Sequence, residues 1–244
     1  MKGVILAGGL GTRLYPLTHA TNKHLLPIYN KPMIFYPIST LVKAGVTEIL
    51  VVTSGPHAGD FIQILKNGKE LGVSHLEYAY QEKPDGGIAD ALLLAEDFSD
   101  KKNIIVILGD NTTDASIKND INNFKSGAVL FLKRINEVNQ LKRFGVPRFA
   151  DNDMTQIIAI EEKPVKPKSN YVATGLYIYD NSVFDIIRKC KPSDRGEIEI
   201  TDVNNIYIKK NKLKWVELKG FWSDAGTFET LFKANQYWFN KGGL

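Results

Sequence analysis

A glycine-rich stretch, Gly8-Gly9-Leu10-Gly11-Thr12-Arg13, directly follows an apolar run at residues 4–7. Glycines at a strand end let the backbone approach a ligand closely and aim its N–H groups at phosphate. In open α/β sheets, ligands sit outside the carboxyl ends of the strands. Two familiar phosphate loops do not fit. A dinucleotide fingerprint needs a third glycine where Leu14 stands, and a Walker loop needs Gly-Lys-Ser/Thr. What remains is a glycine loop carrying Arg13, with Lys23 ten residues on. Arg suits bidentate contact with phosphate oxygens, and Lys supplies a compact charge.

Two carboxylates extend this chemistry. Asp110 follows Gly109 at the end of an apolar run at residues 104–108. Asp224 lies 114 positions later, in Trp222-Ser223-Asp224-Ala225-Gly226-Thr227. Hard oxygen ligands suit Mg²⁺, which takes one or two carboxylates and keeps water and phosphate oxygens. An Asp near Gly-Thr is also a frequent helix N-cap, so Asp224 has two readings. Gln81 ends the third apolar run, and Gly86-Gly87 opens a helical pattern. Gln can exchange donor and acceptor contacts with a pyrimidine edge, whereas Gly-Gly alone can mark a turn. Glu162-Lys163 follows an apolar stretch at 157–160. Period-two alternation sends Glu162 to one face and Lys163 to the other unless the strand ends there, and a surface ion pair is the plain alternative.

The elements around these residues alternate. Strands are expected at 4–7, 49–52, 76–80 and 104–108, and helices at 35–44, at 61–65 (closed by Gly68) and at 88–98. Strands that are apolar throughout predict a mainly parallel α/β sheet covered on both faces. The second half adds strands at 129–132, 157–160 and 172–179, and helices at 183–188, 200–208 and 227–238. No linker or repeat divides the chain.

The 244 residues are 43% hydrophobic and 24% charged, with a net charge of +4. That excludes a strongly basic nucleic-acid arm and a disordered chain. No apolar run is long enough to span a bilayer, and no signal peptide is visible, so a cytoplasmic protein is expected. Cys190 is alone and shows no nucleophile signature, and the four His residues lack ligand spacing. Lys209, Lys210, Lys212 and Lys214, beside Trp215, are expected at a solvated helix end. His24 is expected to be either a half-buried loop residue or a ribose contact. Phe35-Tyr36 and Tyr237-Trp238-Phe239 are expected in the core or at an oligomer contact.

Residues 8–18, Lys23-His24-Leu25-Leu26-Pro27 and Lys31-Pro32-Met33 resemble the sugar nucleotidyltransferase signature. The resemblance continues through Gln81, Gly86-Gly87-Ile88-Ala89, Gly109-Asp110-Asn111, Phe144-Gly145-Val146 and Glu161-Glu162-Lys163-Pro164. It closes with Thr174-Gly175-Leu176-Tyr177, Arg195-Gly196-Glu197-Ile198-Glu199-Ile200-Thr201-Asp202 and the segment around Asp224. The Glu-Glu-Lys-Pro and Arg-Gly-Glu-Ile-Glu-Ile-Thr-Asp segments are similar to the thymidylyltransferase branch.

The resemblance implies a Rossmann-like mixed, mainly parallel sheet flanked by helices, of the nucleotide-diphospho-sugar transferase type. It implies one domain over 1–244, with a nucleotide half to about 125 and a sugar-phosphate half from about 126. The implied substrates are dTTP and glucose 1-phosphate, with Mg²⁺ on Asp110 and Asp224. Arg13, Lys23, Asp110 and Asp224 form the implied catalytic set. Leu6, Gly8, Gly9, Gly11, Thr12, Arg13, Lys23, Gln81, Gly86 and Asp110 would face the nucleotide. Asn111, Gly145, Glu162, Lys163 and Ala173 would face the sugar phosphate. Tyr171-Val172-Ala173-Thr174 and Pro147-Arg148 depart from the family pattern, which puts sugar specificity in question. Other nucleoside triphosphates or sugar phosphates stay open, as does a non-catalytic nucleotide-sugar binder. The sequence ends at Leu244, so feedback through a C-terminal extension is expected to be missing or altered, and a monomer or homodimer is expected.

Overall fold

A strand with apolar residues on both faces is stable only between two layers. The computed structural model, which describes residues 1–151, 153–193 and 196–244, has that arrangement. The strands of five residues or more are β1 (Lys2–Ala7), β2 (Glu48–Thr53), β3 (His75–Tyr80), β4 (Ile104–Leu108), β5 (Ala128–Arg134), β6 (Gly145–Ala150), β7 (Asp153–Glu162), β8 (Tyr171–Tyr179) and β9 (Leu213–Glu217). The helices are α1 (Phe35–Lys43), α2 (Ala58–Leu65), α3 (Ile88–Leu93), α4 (Glu96–Ser99), α5 (Lys118–Asn123), α6 (Val138–Leu141), α7 (Val183–Ile187), α8 (Ile200–Lys209) and α9 (Phe228–Lys241).

Seven strands form one sheet in the order β9-β5-β8-β4-β1-β2-β3. Within it β8 alone runs antiparallel to its neighbours. Period two divides each strand between two cores. Val4, Leu6, Val106 and Ile104 pack with α3, α7 and α8. Ile5, Ala7, Ile105 and Ile107 pack with α1 and α2. The mixed, mainly parallel sheet expected from the sequence is therefore present.

A third core lies off the sheet. Leu14, Leu26, Ile28, Met33 and Tyr36 meet Ala225, Leu231, Ala234 and Trp238 of the C-terminal segment. Trp238 is 2% exposed, and its ring lies 4.9 Å from that of Tyr36. Tyr237 stacks on Phe221, whereas Phe239 is exposed beside Tyr29. The aromatic tail is thus partly core and partly surface.

Several expectations need correction. The helix expected over 88–98 is two helices. At Leu94 and Ala95 the N–H groups bond back three residues, to Ala91 and Leu92, and the turn tightens. Strands β6 and β9 were not expected. Lys214 and Trp215 belong to β9, at the sheet edge, and not to a helix end. An edge strand is half solvated, so its Lys residues hide it from an apolar-run reading.

Candidate active site

The glycine loop is shaped by crowding. A Cβ on Gly8 would stand 3.0 Å from Gln81 Oε1 and 3.1 Å from Ser54 Oγ. Gly9 and Gly11 have φ of 92° and 65°, the left-handed region that favours glycine. The Gly9 N–H donates to Ser54 Oγ at 2.9 Å. Thr18 Oγ1 donates to the Gly11 carbonyl at 2.9 Å and closes the loop. A short turn at Thr12–Leu14 then buries Leu14 in the third core and leaves Arg13 exposed beside it.

That same core buries Ala225, the neighbour of Asp224. One packing unit therefore holds Arg13 and Asp224 from both sides. A Cβ on Gly226 would lie 3.2 Å from Arg13 Nη2 and 3.5 Å from Asp110 Oδ2, so guanidinium and carboxylate flank this glycine.

The two acids are joined by a small ribbon. Thr112–Thr113 pairs antiparallel with Trp222–Ser223, Trp222 opposite Thr113 and Ser223 opposite Thr112. The next positions along it are Asn111 and Asp224. This pairing brings Asp224 near Asp110, which lies 114 positions earlier in sequence. Trp222 Nε1 donates to Asn111 Oδ1 at 2.7 Å, and Asn111 Nδ2 donates to Asp110 Oδ1 at 3.2 Å. The N-cap of α9 is Thr227, which forms a capping box with Thr230, so Asp224 is not a cap.

Among the described residues each acid has one ion-pair partner. Lys23 Nζ sits 2.6 Å from Asp110 Oδ2. Arg143 Nη2 sits 2.7 Å from Asp224 Oδ2. Burial alone would push the Asp110 carboxyl up; Lys23, helped by Arg13, holds it below the ordinary carboxylate value. Asp224 goes the other way: burial raises it first and the nearby Asp110 second, against Arg143 and Arg13. Thr230 stands beside this carboxylate, but its hydroxyl is taken by the capping box. Asp224 Oδ1 is left buried with no hydrogen-bond partner among the described residues. A buried orphan carboxylate oxygen beside a second carboxylate is a poor arrangement without a further cation.

Two cavities meet at these groups. One, of about 270 Å³, is lined by Leu6, Gly8, Gly9, Lys23, Gln81 and Gly87. The other, of about 630 Å³, is lined by Thr12, Asn111, Arg143, Gly145, Glu162, Lys163, Ala173 and Asp224. Arg13 and Asp110 line both, as do Ile88, Leu108 and Glu197. They form one cleft with Arg13 and Asp110 at its junction. Gly11 and Gly86 do not line it. Gly11 packs against Thr18 and Lys23, and Gly86 leaves room for the Asp90 carboxylate, which a Cβ there would overlap.

Strand β7 ends at Glu162, and Lys163 turns away with φ of 46°. Its N–H donates to the Phe144 carbonyl at 3.0 Å. The strand end answers the alternation question, because both side chains reach the larger cavity. Thr201 Oγ1 donates to Glu162 Oε2 at 2.6 Å and fixes that acid. Gly145 lies so close that a Cβ would be 3.4 Å from the same oxygen. Arg195 lies outside the described residues.

Two residues beside the site, Arg143 and Asp90, escaped the sequence reading, and one expected residue, His24, is placed differently. Arg143 stands one position before Phe144-Gly145, with no spacing signal of its own. Asp90 accepts a 2.8 Å hydrogen bond from Gln81 Nε2. His24 is buried, not half-buried. Burial first, then Lys23, pushes it down to about 3, so it is neutral, with Nδ1 2.8 Å from Asn22 Oδ1.

The model of the family described as nucleotidyl transferase matches residues 2–240. A glucose-1-phosphate thymidylyltransferase from Neisseria meningitidis serogroup A is 42% identical over 243 residues, 97% of this chain and 82% of that protein. A solved Bacillus anthracis structure, described as a glucose-1-phosphate thymidylyltransferase in complex with sucrose, is 45% identical with a TM-score of 0.89, over 97% of this chain and 94% of that one. A solved UDP-glucose pyrophosphorylase, 23% identical over 98% of both chains, shares the fold with a TM-score of 0.83. The chain belongs to the nucleotidyl transferase family, and the relatives it resembles over almost its whole length are glucose-1-phosphate thymidylyltransferases.

Proposed function

We propose that this protein transfers a thymidylyl group from dTTP to glucose 1-phosphate, giving dTDP-glucose and pyrophosphate. The observation that carries the reading is the junction of two cavities at Arg13 and Asp110, with Lys23 on the wall of the smaller and Asp224 on the wall of the larger. The smaller cavity, drawn mostly from the first 125 residues, would take the nucleotide. The larger, drawn mostly from residues 142–204, would take the sugar phosphate.

Asp110 and Asp224 would hold Mg²⁺, and the orphaned Asp224 Oδ1 fits a hard cation. Bound there, the ion would neutralise phosphate charge and help to orient the reacting groups. Arg13 at the junction would grip the phosphates that leave, and Lys23 would meet charge near the α-phosphate. Lys163 and Arg143, on the wall of the larger cavity, would steer the incoming sugar phosphate. One of its oxygens attacks the α-phosphorus. That P–O bond forms as the bond to the bridging oxygen breaks, and pyrophosphate leaves with the electron pair. The attacking oxygen is already ionised at neutral pH, so no general base is required.

Among the described residues no helix is long and apolar enough to cross a membrane. A cytoplasmic location and a monomer or homodimer complete the proposal, the assembly being checked by light scattering. The activity test is pyrophosphate release from dTTP, glucose 1-phosphate and Mg²⁺. No release, with no other nucleotide or sugar phosphate restoring it, sinks the proposal.

A further inference from the structure

Gln81 lies in the wall of the smaller cavity and is 4% exposed. Its amide carries two N–H donors and one acceptor oxygen. Both donors are engaged. Nε2 donates to Asp90 Oδ2 at 2.8 Å and to the Gly87 carbonyl at 3.3 Å. A carboxylate and a carbonyl can only accept, so the amide cannot be turned end for end without setting oxygen against oxygen. The orientation is imposed by chemistry. Oε1 is therefore the end left for a ligand. It faces Gly8, whose added Cβ would stand 3.0 Å from it. Gly86 lacks the Cβ that would overlap Asp90 Oδ2, at 2.4 Å, and so leaves the carboxylate its place.

We infer that Asp90, on α3, is a positioning residue that sets base selection by locking Gln81 as an acceptor. The inference rests on the nucleotide reading of the smaller cavity and deepens it. Thymine and uracil present N3–H, a donor, at the centre of their pairing edge. Cytosine presents a lone pair at N3 and offers a donor only at its amino group, so it must slide in the cavity to satisfy Oε1. Without the Asp90 carboxylate only the longer, 3.3 Å bond to the Gly87 carbonyl opposes reversal, and the Gln81 amide can turn to meet either base.

Asp90 also sits in the first turn of α3, where an acid favours the helix dipole. That role alone would change stability and leave base preference untouched. The discriminating measurement is therefore a ratio. Dissociation constants for dTTP, UTP and dCTP are measured by calorimetry with Mg²⁺ and no sugar phosphate, beside KM and kcat for each with glucose 1-phosphate. Asp90→Asn is nearly isosteric, and its side chain can accept or donate. It should lower the dTTP-to-dCTP preference by about tenfold or more, the scale of one mispaired buried polar group. The change should lie in Kd and KM more than in kcat, and the dTTP-to-UTP ratio should hold, because those bases share the N3–H edge. Asp90→Glu, which restores the carboxylate, should recover much of the preference. If Asp90→Asn keeps the full preference, the inference fails while the nucleotide reading stands. If the unmodified protein binds dCTP as tightly as dTTP, or binds no nucleotide, the failure lies in the base or nucleotide reading, and the inference falls with it.

Discussion

Arg143→Gln is the most informative perturbation of the carboxylate pair. It keeps a hydrogen-bond donor of similar reach and removes one charge. The Asp224 side chain is 10% exposed and that of Arg143 26%. Removing one partner of a buried ion pair typically costs about 3–5 kcal/mol, because the remaining charge is left uncompensated. Arg143 is open to the cleft on one side, and Arg13 still attracts Asp224, so about 1–3 kcal/mol is the working figure. For a chain of this length that lowers Tm by roughly 2–4 °C per kcal/mol.

The sign with pH follows from the direction of the Asp224 shift. Burial raises its carboxyl in the folded state, with Asp110 adding to the rise. The folded form then holds its proton more readily than the unfolded chain, and stability falls as pH rises through the raised value. Arg143→Gln raises it further, so the deficit should grow from the ordinary carboxylate range towards neutral pH. Mg²⁺ should shrink the deficit, because a ligand that binds only the folded form stabilises it by mass action. Calorimetry of both proteins across pH, with and without Mg²⁺, reads all three effects. A deficit that ignores Mg²⁺ and pH would mean that Arg143 acts by packing alone, and the electrostatic reasoning would be wrong. Arg143→Lys, which keeps the charge, should recover much of the loss.

Three other outcomes are expected. Arg13→Ala should lower kcat about a hundredfold or more in the pyrophosphate assay, with Tm nearly unchanged because the side chain is exposed. Asp110→Asn should lose Mg²⁺-dependent turnover; since the folded pKa of Asp110 is lowered, its contribution is present above the ordinary carboxylate value and lost as pH falls through the folded one, so acid unfolding of the wild type should carry a component the variant lacks. Trp238→Ala should destabilise the chain by about 3–5 kcal/mol in denaturant titration and lower activity as well, because Leu14 and Ala225 share its core.

The legible parts of the sequence were those with a local period or a local motif. Val4 to Ala7 and Ile104 to Leu108 announced buried strands because both faces are apolar, and the structure buries both faces. Ile200 to Ile208 announced a helix by helical spacing instead, and Ile200, Val203 and Tyr207 are buried on one side of it. The edge strand β9 stayed hidden because its surroundings are half water, and β6 because Pro147 interrupts it. Asp90 was illegible for a different reason. Its partner, Gln81, is met through the turn at Gly86-Gly87, and an acid in a first helical turn already has a local explanation.

Asp224 shows where local reading gives way to tertiary structure. Beside Gly226-Thr227 it looks like a cap, yet Thr227 and Thr230 satisfy that helix end between them. The acid is thereby freed from local duty. The ribbon through Trp222 and Ser223 then carries it to Asn111, and the third core holds it near Arg13. Had Asp224 capped α9, its oxygens would be spent on backbone N–H groups. Because they are not, one oxygen meets Arg143 and the other makes no hydrogen bond among the described residues. A buried carboxylate with spare capacity is costly for folding alone, and its position at the wall of the larger cavity, within reach of the Asp110 charge, is the one the proposed cation-assisted phosphate chemistry would use.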